Sequence, residues 1–544
     1  MVEIAVSHQE DVADPDFDVI VVGAGISGIF QAYRLKELGL RFKVIEAGSG
    51  VGGTWYWNRY PGARFDSESY TYAYSFSEEL LKEWNWTEHF ASQPETERYL
   101  NYVTDKFDLR QHFQFNSRVK SAHYNSNMRS WNLELQDGSR CSARFLVTAL
   151  GPLSAPTMPN YPGMGEFRGQ SLQTSLWPKE PVSFEGKRVA VIGTGSSGVQ
   201  VIQEVAKSAK HLTVFQRTPN WCAPLKNTRI DEAEMARLRA DFPRIFQRCK
   251  DSPSGFMHHP DPRKTFDLSA EEREAIWQAM YDAPGFGIWM GNFRDAFIDQ
   301  KANDALSDFA ARKIRERVKD PVTAEKLIPK NHGFGTRRIP LETNYYEVYN
   351  QPNVELVDVN ATPITRVTQD GLATSEREFQ FDMIIYSTGF DALTGSYDRI
   401  DIQGENGLRL KDVWKHGPET YLGIFVSGFP NMMMVAGPHM ALGNAPRGIE
   451  YGVNWVAGFL AFARSRNITR VDAPADEMAS WTNYVRGLGT DLLASKIDSW
   501  MTGVNKNVAG RSQRSVIRFS GPAPEYREYC DRVAAGGYTQ LNMS

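Results

Sequence analysis

Apolar positions along this chain keep two rhythms, and each rhythm occurs twice in the same order. Asp18-Val-Ile-Val-Val22 is a short β-branched run, the pattern of a strand buried on both faces. It leads into Gly23-Ala-Gly-Ile-Ser-Gly28. Ile29, Ala32, Tyr33 and Leu35 then recur at helical spacing before Gly39, and a second strand is predicted over Phe42–Glu46. About 170 positions later the arrangement returns. Arg188–Ile192 is a strand, Gly193-Thr-Gly-Ser-Ser-Gly198 a turn, Ile202 and Val205 mark a helix, and Leu212–Phe215 is the next strand. Between the two units, Leu150-Gly-Pro-Leu-Ser-Ala-Pro156 reads as an interdomain crossing. From about 225 to 330 the pattern turns charged and helical, as in Ala302, Ala305, Leu306, Phe309 and Ala310, with Asp320-Pro321 as a stop. Strands return at Val354–Val357 and Met383–Tyr386.

The fold class that follows is α/β, with two Rossmann-like dinucleotide-binding domains. A glycine triplet means most where it follows a strand and opens a helix, as both copies do here. Gly23 and Gly193 would make the tight turns, Gly25 and Gly195 let backbone approach a pyrophosphate, and Gly28 and Gly198 allow close helix–strand packing. Ser196 and Ser197 sit at the second helix N-terminus, where amides face negative charge. The end of the second strand separates the two nucleotides. Glu46 accepts hydrogen bonds from ribose hydroxyls and repels a 2′-phosphate, which fits FAD or NAD. The second unit has Gln216-Arg217-Thr218 there; Arg217 can pair with a 2′-phosphate, which fits NADPH.

Composition removes other classes. Hydrophobic residues are 41% and charged residues 23%, so the chain is globular rather than disordered. A net charge of −4 leaves no basic excess for nucleic acid. The longest apolar runs are too short to span a bilayer, and the acidic start MVEIAVSHQEDVADPD, read as a loose tail over its first 14 or so residues, lacks a signal peptide's basic and apolar regions. Cys141, Cys222, Cys249 and Cys530 form no CxxC pair. That excludes a disulfide scaffold, argues against a zinc site, and removes the closely spaced thiols a disulfide reductase needs. The expectation is a cytoplasmic monomer with no metal, no membrane and no nucleic-acid partner.

A flavoprotein fed by NADPH that lacks a dithiol is expected to hand its electrons to oxygen. Gly53-Thr54-Trp55-Tyr-Trp-Asn-Arg-Tyr60-Pro61-Gly62-Ala-Arg-Phe-Asp66 resembles the long fingerprint of the Baeyer–Villiger monooxygenases that use FAD and NADPH. Phe167-Arg-Gly169-Gln-Ser-Leu-Gln173-Thr-Ser-Leu-Trp177-Pro178, Ser387-Thr-Gly-Phe-Asp391, Gly335-Thr-Arg-Arg338 and Ser499-Trp500-Met-Thr-Gly503 extend the resemblance from about residue 15 to the end. The resemblance implies reduction of FAD by NADPH, reaction with O2 to a C4a-peroxyflavin, and insertion of one oxygen atom beside a ketone carbonyl to give an ester or lactone, with thioethers as a second substrate class. It implies Arg338 as the catalytic cation and Asp66 as its partner, Arg337 beside Arg217 at the 2′-phosphate, and Trp500 on the nicotinamide side of the cofactor. It also implies an FAD domain assembled from 1–150 and 385–544, an NADP domain from 151–224 and 333–384, and a helical insertion over 225–332. A fixed guanidinium suits the chemistry independently, because it stays charged and donates several hydrogen bonds in one plane to a developing oxyanion.

Two places depart from the family pattern. Gln173 stands where the motif carries histidine; it can hydrogen-bond but takes no proton near neutrality, and no catalytic role is assigned to it. The lid-side loop Pro438–Pro446 is about two residues shorter than in a known member. Met432-Met-Met434 nearby reads as core. Two alternatives remain at this stage: a flavin monooxygenase acting on nitrogen or sulfur, and an idle nucleotide-binding sensor.

Overall fold

The structure is a computed structural model that describes residues 14–544, so the tail expected over the first 14 or so residues lies almost wholly outside the described residues. Both βαβ units form where the periodicity predicts. Strand Phe17–Val22 is followed by helix Ile26–Glu37 and strand Phe42–Ile45; strand Arg188–Ile192 is followed by helix Ser196–Val205 and strand His211–Gln216. In each first strand the last four residues are buried, as a strand covered on both faces requires.

Two sheets carry the architecture. In the first, Phe17–Val22 lies parallel between Phe42–Ile45 and Arg140–Thr148. A hairpin, Val119–Asn125 with Ser130–Leu135, extends it, and two strands from late in the chain join: Asp401–Gln403 beside Val119–Asn125, and Met432–Met434 beside Leu146–Thr148. The methionine run is thus a fully buried strand. The second sheet has five parallel strands in the order Val354–Asp358, His211–Gln216, Arg188–Ile192, Met383–Tyr386, Gln170–Gln173. The first sheet therefore draws on both ends of the chain and the second on its middle.

Between residues 225 and 332 the chain is mainly helical: Glu232–Asp251, Ala270–Asp282, Gln300–Arg317 and Pro321–Leu327 are its longer elements. Helix Gln300–Arg317 ends just before Asp320-Pro321, as a stop requires. Asp320-Pro321 does not act as a stop alone but opens a helix, with the Asp320 carboxylate accepting from the Thr323 amide at 2.9 Å and Pro321 in the first turn, where a missing N–H costs nothing. Among the described residues no helix is long and apolar enough to cross a membrane.

Candidate active site

A single cleft of about 2550 Å³ runs past both glycine turns, the Gly53–Asp66 fingerprint, the helical insertion and the C-terminal segment. Helix Ile26–Glu37 begins at Gly25 with no side-chain cap and no acid in its first turn, so its leading amides are left to whatever occupies the cleft. Glu46 reaches back to this turn. One carboxylate oxygen accepts from the Ala24 amide at 2.8 Å and the other from the Gly48 amide at 2.6 Å. Burial pushes its pKa upward against those two bonds. Gly53 lies so close that a Cβ there would stand 2.7 Å from the Gly25 Cα. Gly28 abuts the Gly23 carbonyl in the same way, leaving no room for a side chain. Trp55, buried, donates to the Tyr72 hydroxyl at 3.1 Å, packs edge-on to Phe65 and lines the cleft beside the turn.

The second turn repeats this plan. Gly193 and Gly198 press on backbone, whereas a Cβ on Gly195 would meet nothing within 4 Å: open space lies in front of helix Ser196–Val205, again uncapped. Ser196 and Ser197 form its first turn. The Thr218 carbonyl accepts from the Thr194 hydroxyl at 2.9 Å, tying the strand end to the glycine turn. Arg217 is exposed, 3.2 Å from the Asn507 amide oxygen. Arg337 donates to the Asp498 carbonyl at 2.6 Å and keeps its buried Nε without a partner. Burial lowers its pKa; Asp498 opposes that and the charge of Arg217 adds to it, so the two guanidiniums stand within each other's field. Two uncapped helix starts, a carboxylate at one strand end and paired arginines at the other make a donor set that fits FAD in the first turn and NADPH in the second.

Between the turns sits the pair expected from sequence. Arg338 Nη1 donates to Asp66 Oδ2 at 3.1 Å. Asp66 is 4% exposed, while the arginine side chain stays one-third open to the cleft. Burial drives the Asp66 pKa up to about 6, against the pull of Arg338, a backbone hydrogen bond from Leu341 and the charge of Arg64. The other Asp66 oxygen is buried and unpaired. Arg338 also lies over the Phe286 ring at 5.6 Å. Trp500 is no core aromatic: it is 38% exposed and lines the cleft. Gln173 ends the edge strand of the second sheet and donates to the Thr157 carbonyl at 3.2 Å. Thr157 and Thr388 exchange hydrogen bonds of their own, 2.8 and 2.6 Å, so Gln173 braces the crossing between the sheets.

Several contributors escape sequence reasoning. Gln200, on the helix of the second turn, accepts from the Tyr60 hydroxyl at 2.7 Å and donates to the Arg64 carbonyl at 3.0 Å. Phe286 comes from the helical insertion and Arg518 from the C-terminal segment. Their partners are far off in sequence, so no local pattern marks them.

Comparison with known proteins agrees with this geometry. The pyridine nucleotide-disulphide oxidoreductase family matches residues 20–242. The four cysteines are nonetheless free. A monooxygenase of 2-oxo-Δ3-4,5,5-trimethylcyclopentenylacetyl-CoA from Pseudomonas putida is 44% identical, the match covering 97% of this chain and 99% of that protein. A Baeyer–Villiger monooxygenase from Pseudooceanicola batsensis is 40% identical over 97% of this chain and 96% of its own length. A crystal structure of OTEMO in complex with FAD and NADP superposes with a TM-score of 0.94 at 44% identity, covering 98% of this chain and all of that one. The chain belongs to the Baeyer–Villiger monooxygenases, enzymes that use FAD and NADPH to place one oxygen atom of O2 next to a ketone carbonyl.

Proposed function

We propose that Arg338, oriented by Asp66, is the cation at which the ketone is oxygenated, and that small ring ketones are the substrate class. The observation that carries this reading is the 3.1 Å pair standing between the two glycine turns, with a buried carboxylate and a guanidinium one-third open to the cleft. Gly23, Gly25, Gly28, Glu46 and the Gly53–Trp55 stretch would hold FAD. Gly193, Gly195, Ser196, Ser197, Gly198, Thr218, Arg217 and Arg337 would hold NADPH, with Trp500 beside its nicotinamide. When bound, these cofactors supply the reducing equivalents and the activated oxygen atom.

The protein's own part is electrostatic. The planar guanidinium donates to the carbonyl oxygen as negative charge grows on it, where water would have to reorganise to do the same. Asp66 keeps the plane of Arg338 fixed and neutralises it between turnovers; an enclosed cation without such a partner is costly. The Phe286 ring lies 5.6 Å from the guanidinium and adds a cation–π contact. The relative from Pseudomonas putida acts on a cyclopentenyl ketone, which favours ring ketones here. The free cysteines favour a reducing compartment, and we take the working unit as a cytoplasmic monomer.

The test is product analysis with NADPH, air and a panel of cyclic, aliphatic and arylaliphatic ketones, scored by mass spectrometry for products heavier by one oxygen. The native enzyme should form lactones from the ring ketones. Arg338→Ala should still oxidise NADPH yet lose ester formation by about a hundredfold or more, the scale of removing one oxyanion donor. Ester formation by Arg338→Ala at the parent rate would mean the cation is elsewhere.

A further inference from the structure

Arg518 is given no task by the reading above. Arg518 lies between buried Ile517 and Phe519 in the C-terminal segment and lines the main cleft together with a small side cavity of about 130 Å³. Among the described residues its side chain makes no ion pair and no hydrogen bond. It is half-buried and lines both cavities. Burial alone pulls its pKa down, and no nearby carboxylate offsets that pull. The other arginines of the cleft differ. Arg64, Arg217, Arg337, Arg338, Arg399 and Arg514 each have a polar partner, and Arg118 and Arg294 are exposed.

Holding a cation in this way costs stability unless a ligand completes it. The segment is also fixed in place. His439, fully buried, accepts from the Thr420 hydroxyl through Nδ1 at 3.0 Å and donates through Nε2 to the Val516 carbonyl at 3.0 Å. Burial holds the His439 pKa near 4, so this neutral bridge persists at working pH. The lid-side loop is therefore clamped to the segment two residues before Arg518. Leu492, Met501 and Ile517 line the same region, giving an apolar wall with one positive charge set in it.

We propose that Arg518 receives a carboxylate carried by the ketone, so that the preferred substrate is a keto acid rather than a neutral ketone. The inference rests on the ketone-oxygenating reading above. A planar guanidinium offers a carboxylate two parallel hydrogen bonds, and the ketone end would then lie along the apolar wall toward Arg338. Arg518 would select the substrate and take no part in the chemistry.

Two measurements on the FAD-loaded enzyme test this. The first compares kcat/KM for 2-oxocyclopentaneacetate and 6-oxoheptanoate, each against its methyl ester, at saturating NADPH. The parent should favour the acids. Arg518→Met should lower the acid-to-ester ratio about ten- to a hundredfold, the worth of a charge-assisted contact, and Arg518→Lys should keep part of it. FAD content and thermal midpoint show that each variant is folded. The second measurement is calorimetric binding of cyclopentaneacetate, which has no ketone to oxidise; it should bind the parent and lose affinity in Arg518→Met. An unchanged ratio, carboxylate binding that ignores the substitution, or an effect confined to the KM for NADPH would overturn the proposal. Carboxylate binding that depends on Arg518 in an enzyme that oxidises no ketone would instead overturn the ketone reading and leave the anion site standing.

Discussion

At the scale of single residues, the site turns on a carboxyl group whose ionisation is contested. Burial lifts the Asp66 pKa from its ordinary 3.8 to about 6, although Arg338 pulls the other way. The folded protein thus holds a proton that the unfolded chain releases between about pH 4 and 6, so this group's contribution to stability declines as pH rises through that window. Orientation of Arg338 by an anion has the opposite dependence, because it needs Asp66 ionised. The expected outcome is a kcat/KM for ketone that falls as pH drops through about 6, and a loss of that limb in Asp66→Asn. A native profile flat from pH 5 to 8 would detach Asp66 from the chemistry. The pair itself was legible in sequence because its two motifs resemble a known family. The proton equilibrium was not, since it arises from burial by segments hundreds of residues apart.

At the scale of elements, the fingerprint's physical sense lies in how it grips a helix. Tyr60-Pro61-Gly62-Ala63 forms a turn in which the Ala63 amide donates to the Tyr60 carbonyl at 3.1 Å and Gly62 has φ of +82°. A Cβ on Gly62 would lie 2.9 Å from the Gln200 carbonyl, on the helix that opens at the second glycine turn. Gly62→Ala therefore meets both a left-handed backbone and a backbone clash. It should destabilise by about 1–3 kcal/mol, read as a lower denaturant midpoint with unchanged slope. A midpoint equal to the parent's would mean that the contact is slack. The strands and glycine turns were readable from periodicity, as Arg188–Ile192 and Met383–Tyr386 were to the residue. Asp320-Pro321 reads as a stop, and helix Gln300–Arg317 does end before it; the helix that it also opens is not legible, because the same letters end one helix and start the next and only the Thr323 amide on the Asp320 carboxylate decides. The wall supplied by Phe286 carries no local signal at all.

At the scale of the molecule, two sheets must be held so that the two cofactor sites address one Arg338, and Gln173 lies in the brace between them. Gln173 closes the edge of the second sheet onto Thr157, whose partner Thr388 belongs to the segment leading back toward the first sheet. The hydrogen bond is short-range and uncharged, so what glutamine contributes is position, and a proton there has no task. Two substitutions separate these possibilities. Gln173→Ala deletes the brace and should divert NADPH oxidation toward hydrogen peroxide, with the ester-to-NADPH ratio falling severalfold while FAD binding persists. Gln173→His restores a ring that can reach the same carbonyl, and should restore coupling without adding a step to the pH profile between 6 and 8. A new titration in that range for Gln173→His would show that charge at this position matters after all. Full coupling in Gln173→Ala would place the brace elsewhere, with the exchanged bonds of Thr157 and Thr388 as the next pair to break.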